Sequence, residues 1–120
     1  MKKLSLAVAA SLFAVVGASA HAADLAAGQA AFQKYTCATC HGADAKTSTL
    51  PNYPILAGQH ADYLAHALRT YKRGAAGAPA TANVRKDAVM GAMVQQLNET
   101  DIKNISAWLA SLPSPLSVAK

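Results

Sequence analysis

No stretch of this sequence alternates apolar and polar residues as a half-buried strand requires, so helices must carry the fold. Charge is scarce: 14% of the 120 residues are charged against 52% hydrophobic, a balance that argues against a disordered chain. Runs of Lys and Arg are missing, with Arg69, Lys72, Arg73, Arg85 and Lys86 spread among apolar residues, and nucleic-acid binding loses its support. Large apolar side chains are few, because much of the hydrophobic fraction is alanine, which buries little area per residue. Either the core is thin, or something other than side chains fills it. The length of 120 residues admits one domain and not two.

Lys2 and Lys3 precede an apolar run from Leu4 to Val16, and small residues follow at Ala18-Ser19-Ala20 and Ala20-His21-Ala22. This is the pattern of a secretory signal peptide over residues 1–22, cleaved after Ala22 or, as the second choice, after Ala20. The rival reading is a membrane anchor, but the run spans roughly 20 Å as a helix, short of the ~30 Å hydrocarbon core. Removing the leader leaves nine Lys and Arg against six Asp and Glu. So mild an excess of positive charge suits the steering of a negatively charged protein partner, while each single cation reads equally as a solvated surface residue.

Residues 23–113 form the expected domain, with a flexible tail over 114–120. Asp24 to Tyr35 reads as a helix, with Leu25, Gly28 and Phe32 at helical spacing. Residues 42–58, which contain Gly42, Pro51, Pro54 and Gly58, read as an irregular loop. A second helix is expected over His60 to Arg73, where Tyr63, Leu64, Ala67, Leu68 and Tyr71 share a face and Gly74 suits the left-handed residue after the helix end. Residues 74–79 are a low-complexity loop leading to Met90 and Met93. A third helix starts at the cap Asn98, with Asp101 completing a variant capping box and Ile102, Ile105, Trp108, Leu109 and Leu112 as its buried stripe. Pro113 and Pro115 stop it.

The only two cysteines stand in Cys37-Ala38-Thr39-Cys40-His41. C-x-x-C-H reads as covalent attachment of c-type haem, each thiol adding to a vinyl group and the adjacent imidazole lying under the iron. Three rivals compete. A thioredoxin-like redox pair wants a βαβ context, a plain disulfide leaves His41 without a role, and zinc would need His60 and His66, whose six-residue separation on a helix turns the rings about 240° apart. Haem also answers the shortage of bulk in the core.

These residues resemble a family, the class I cytochromes c. The likeness rests on Gly28 and Phe32 in the first helix, Cys37 to His41, Pro54-Ile55-Leu56-Ala57-Gly58-Gln59, Tyr63-Leu64 with Leu68, the methionines, and Leu97 through Leu112. Leu56-Ala57-Gly58-Gln59 followed by Tyr63-Leu64 is similar to the bacterial subgroup that includes the periplasmic di-haem cytochromes c, of which this chain resembles one half. The resemblance implies an all-α fold of about three main helices and long loops around one covalent haem c. It implies His41 and Met90 as the axial iron ligands, with Met93 as the alternative sixth ligand or else a packing residue, and His60 or His66 as remoter replacements. It also implies that the Pro54 carbonyl accepts the Nδ1 hydrogen of His41, and that Gly28 lets the first helix approach the last against Trp108. Arg85 and Tyr71 are candidate partners of the haem propionates.

The function implied is that of a periplasmic mono-haem one-electron carrier, not an enzyme, working between a redox donor and a redox acceptor that it meets transiently. Membrane-associated respiratory complexes are candidate partners. The alternatives are a haem subunit of an oxidoreductase complex and, more remotely, a haem-based sensor with a labile sixth ligand.

Overall fold

A computed structural model describes residues 22–114. The expected leader, up to residue 21, and the expected tail beyond Ser114 lie outside the described residues. Five α-helices and one 3-10 turn are present, with no strand among the described residues: α1 (Leu25–Lys34), α2 (Ala38–His41), α3 (Ala61–Ala75), the 3-10 turn (Ala80–Ala82), α4 (Ala88–Val94) and α5 (Glu99–Ser111).

α1 begins where the side chain of Asp24 accepts the Ala27 N–H at 2.9 Å, satisfying a donor that the helix itself cannot. The Asp24 N–H in turn donates to Asn104 Oδ1 at 3.0 Å, tying the start of α1 to the middle of α5. The two helices cross at Gly28, where a Cβ would lie 2.1 Å from the Asn104 carbonyl oxygen and 2.8 Å from Trp108 Cβ. That approach brings Phe32 and Trp108 together, ring centroids 5.0 Å apart and tilted by 51°, a favoured aromatic arrangement. Tyr35, at the end of α1, donates its hydroxyl to Asp101 Oδ2 at 2.9 Å.

α5 starts in the expected capping box: Asn98 accepts from the Asp101 N–H, and Asp101 accepts from the Asn98 N–H. Ile102, Ile105, Trp108 and Leu109 are buried and Leu112 is half-buried, so the expected stripe is the observed one. With Ala31, Phe32, Ala45, Ala57, Leu64, Val94 and Leu97 they make the core. α3 packs on α5 and on α4, and an exposed Arg69–Glu99 ion pair of 2.8 Å links α3 to α5.

Two expectations fail. The second helix does not stop at Arg73 with Gly74 as its left-handed terminator; α3 continues to Ala75, and Gly77, at φ 83°, takes that place. Its N–H donates to the Gly74 carbonyl and the Ala78 N–H to the Arg73 carbonyl, the paired bonds of a glycine-terminated helix. Gly74 is needed for a different reason: a Cβ there would sit 2.1 Å from the Arg85 carbonyl oxygen. The methionine stretch, for which no helix is expected, is the helix α4, capped by Asp87 through the Met90 N–H at 2.8 Å.

Candidate haem site

After α1 the chain reverses at Thr36, a β-branched residue at φ 57°, where side chains are strained. The Thr36 N–H donates to the Gln33 carbonyl and the Cys37 N–H to the Phe32 carbonyl, so the end of α1 fixes where Cys37 stands. α2 follows at once, with the His41 N–H on the Cys37 carbonyl at 3.0 Å. In one helical turn, residues three and four apart lie on the same side, so Cys37, Cys40 and His41 all project from one face of α2. Both thiols are free and half-buried. Burial pushes the Cys37 thiol up from its ordinary pKa, opposite to the lowered value of a redox-active dithiol.

His41 is 7% exposed, and its Nδ1 lies 3.1 Å from the Pro54 carbonyl oxygen. A carbonyl only accepts, so Nδ1 carries the proton of this bond, and in the neutral ring the lone pair is on Nε2. The Pro54 carbonyl is itself held in place by its surroundings. Two residues on, the Leu56 and Ala57 N–H groups both donate to the Ala45 carbonyl at 2.9 and 3.0 Å, and the Gly58 N–H reaches the Leu109 carbonyl of α5 at 2.9 Å. On the other side of Ala45, Asp44 gathers the Lys46 and Thr47 N–H groups and the Thr47 hydroxyl. Those bonds, the Thr47 N–H first, hold its carboxyl down to about 2. The irregular loop expected over 42–58 is thus a braced one, and the bracing converges on the carbonyl that orients His41. The Tyr53 ring stands 6.1 Å from the His41 ring.

Met90 packs against the buried core from the third position of α4, while Met93, one turn on, is half-buried. His60, which precedes α3, and His66, on α3, are exposed, His66 meeting Asn83 at 3.3 Å. No cluster of three His, Cys, Asp or Glu side chains able to hold a metal ion exists among the described residues. The zinc reading therefore lacks a ligand set, while an imidazole with one free nitrogen and a thioether suit the iron of a porphyrin. Sequence reasoning did not find Asn104, buried and bonded to Asp24, nor the Thr70 carbonyl that receives the Arg85 N–H at 3.1 Å. Both bonds join residues far apart in the chain, and no local pattern marks them.

A helical scaffold with two thiols and an oriented imidazole on one turn defines a protein that binds haem through thioether bonds. The cytochrome c family model matches residues 25–113, and the chain belongs to that family. It is 40% identical over 94 residues to cytochrome c4 of Stutzerimonas stutzeri, covering 77% of this chain and 43% of that protein. It is 37% identical over 79 residues to cytochrome c-554(548) of Halomonas halodenitrificans, covering 63% of this chain and 83% of that one. The crystal structure of reduced recombinant cytochrome c4 from Pseudomonas stutzeri superposes with a TM-score of 0.66 at 38% identity, over 77% of this chain and 47% of that one. The chain thus spans a little under half the length of the cytochrome c4 relatives it matches. Its fold is that of the class I cytochromes c, and the family's cofactor is covalent haem c; the spacing of Cys37 and Cys40 is consistent with one such haem.

Proposed function

We propose that this chain, exported by its N-terminal leader to the periplasm, carries single electrons between redox proteins, with Cys37 and Cys40 bonded to one haem and His41 and Met90 as the axial ligands. The observation that carries the reading is the arrangement at α2: two thiols and an imidazole on one turn, the imidazole aimed by the Pro54 carbonyl. Bound there, haem supplies an Fe(III)/Fe(II) couple. Pro54 fixes the His41 tautomer and raises its donor strength. Met90, a soft neutral thioether, favours the reduced iron and so lifts the potential above that of a bis-imidazole site. Held by His41 and Met90 together, the iron would be closed to small molecules, and the protein would pass electrons without binding a substrate.

The experiment is a redox titration of protein secreted from a haem-maturing host, followed by exposure of the reduced form to carbon monoxide. Reversible one-electron reduction with no rapid carbon monoxide binding at neutral pH is the expected result. Rapid binding would favour the sensor reading and contradict the closed six-coordinate iron.

One observation favours a second setting for the same chemistry, a haem subunit of an oxidoreductase complex. Leu50, Ile55, Tyr63 and Val89 are 37 to 52% exposed, and Ile55 and Val89 adjoin Pro54 and Met90 in sequence. Joined into one patch beside the site, such side chains would mark a surface that meets a partner. Stable co-purification with a flavin or metal subunit supports the complex; a monomer with only weak, fast docking supports the carrier.

A further inference from the structure

α2 is a single turn, and the last carbonyls of such a turn need partners from outside it. Loop 42–58 supplies one: the Thr49 N–H donates to the Cys40 carbonyl at 3.0 Å, and the Thr49 hydroxyl donates to the same oxygen at 3.3 Å. Further along, the same loop presents the Pro54 carbonyl to His41 Nδ1. One loop thus grips the turn that carries both thiols and the imidazole at two points. Whatever sets the shape of the loop sets the aim of His41.

That shape pivots on Ala45, which is fully buried and has φ 56°, a left-handed conformation that is costly for a residue with a Cβ. Such strain persists only where the surroundings over-determine it. The Ala45 N–H donates to the Gly42 carbonyl at 3.0 Å, and the Ala45 carbonyl receives the Leu56 and Ala57 N–H groups, two and three residues past Pro54. The side chain that holds the turn is Asp44. Its Oδ1 accepts the Lys46 and Thr47 N–H groups at 3.0 and 2.8 Å, and its Oδ2 accepts the Thr47 hydroxyl at 2.7 Å. Asp44 is itself exposed, so these three bonds serve the turn and not the core.

We propose that Asp44 is a positioning residue for the His41 imidazole: by holding Ala45 in its left-handed conformation, it keeps the Pro54 carbonyl on His41 Nδ1. This rests on the haem reading above, and it assigns a part in tuning the iron to a residue outside the attachment motif. Loss of the turn loosens the bond from Nδ1 and leaves the imidazole a poorer donor. Fe(III) then loses more than Fe(II), and the potential rises.

The test uses mature haem protein, wild type and carrying Asp44→Ala, Asp44→Asn or Asp62→Ala. NMR of the reduced form reads hydrogen exchange at His41 Nδ1–H, with the Trp108 backbone N–H of α5 as the gauge of global unfolding, and a redox titration reads the midpoint potential. Asp44→Ala is expected to speed Nδ1–H exchange about tenfold with the Trp108 rate unchanged, as a local opening does, and to raise the potential. Asp44→Asn, whose side-chain oxygen still accepts from the backbone, keeps exchange near the wild-type rate. Asp62→Ala, which removes an exposed carboxylate from α3, also leaves the exchange rate in place. Unchanged Nδ1–H exchange in Asp44→Ala, an equal acceleration at Trp108, or equal rates in Asp44→Ala and Asp44→Asn overturns the proposal. If Asp44→Ala fails to mature, Thr47→Val decides: it removes only the hydroxyl bond to Asp44, so faster Nδ1–H exchange supports the proposal and an unchanged rate overturns it. In a coloured wild type these outcomes bear on Asp44 alone; a colourless wild type refutes the haem reading, and the proposal with it.

Discussion

At Gly28 a hydrogen in place of a methyl group decides whether α1 and α5 can meet. A Cβ there would stand 2.6 Å from the Asn104 carbonyl carbon, and backbone cannot swing aside as a side chain does. Gly28→Ala is therefore expected to cost about 3 kcal/mol, the upper part of the usual overpacking range, read as a lowered denaturant midpoint of the haem-bound protein. At the methionines the two substitutions separate roles. Met90→Ala should open the iron to added ligands and lower the potential, whereas Met93→Ala, a half-buried truncation, should cost about 2 kcal/mol or less and leave the spectrum intact. Ligand-binding assays and thermal melts of the two variants check this, and swapped phenotypes would move the ligand to Met93. Cys37, Cys40 and His41, the residues proposed to carry the chemistry, stand out in the sequence because their spacing is a local pattern. The Asp24–Asn104 bond and the Thr70–Arg85 bond do not, because each depends on where distant elements end up.

Among the elements, α5 announced itself: Asn98 and Asp101 bracket its first turn, and the apolar positions after them repeat at helical intervals. Removing the cap by Asn98→Ala leaves N–H groups at the start of α5 without partners, and it is expected to lower stability by about 1 kcal/mol. Chemical denaturation of the haem-bound variant gives the number. Asp101→Ala should cost more than a cap alone, since Asp101 also receives the Tyr35 hydroxyl that joins the end of α1 to α5. α4 was missed for a physical reason. Seven residues with a glycine inside show less than two turns of periodicity, too little to separate helix from loop, and the helix is held by the Asp87 cap and by Gly91 packing against Ala75. The end of α3 misled for a related reason: Gly74 looks like a terminator, but its smallness serves a carbonyl eleven residues further along.

At the scale of the molecule, the described residues form a core of eleven buried hydrophobic side chains, three of them alanine, which is meagre for a domain of this length. A macrocycle several times larger than an aromatic side chain, which buries ~150–250 Å², would bury ~500 Å². At ~25 cal/mol per Å² that is on the order of 10 kcal/mol as an upper estimate. Domains of this kind have total stabilities of ~5–15 kcal/mol. The polypeptide made without the haem-attachment machinery is therefore expected to lack a cooperative thermal transition, and circular dichroism on heating checks it. The all-helical class and the domain core were legible because periodicity and the C-x-x-C-H motif agree. How the segments on either side of the site brace one another was not, since loop 42–58 and the Arg85 segment are held by backbone bonds that leave no trace in composition.

The most direct measurement is the mass and colour of the mature secreted protein beside those of its Cys37→Ala/Cys40→Ala double variant. The wild type should weigh one haem more than its polypeptide, remain coloured, and keep haem staining through denaturing electrophoresis, while the double variant should lose the staining. A colourless wild type of bare polypeptide mass, or staining that survives in the double variant, would contradict the account.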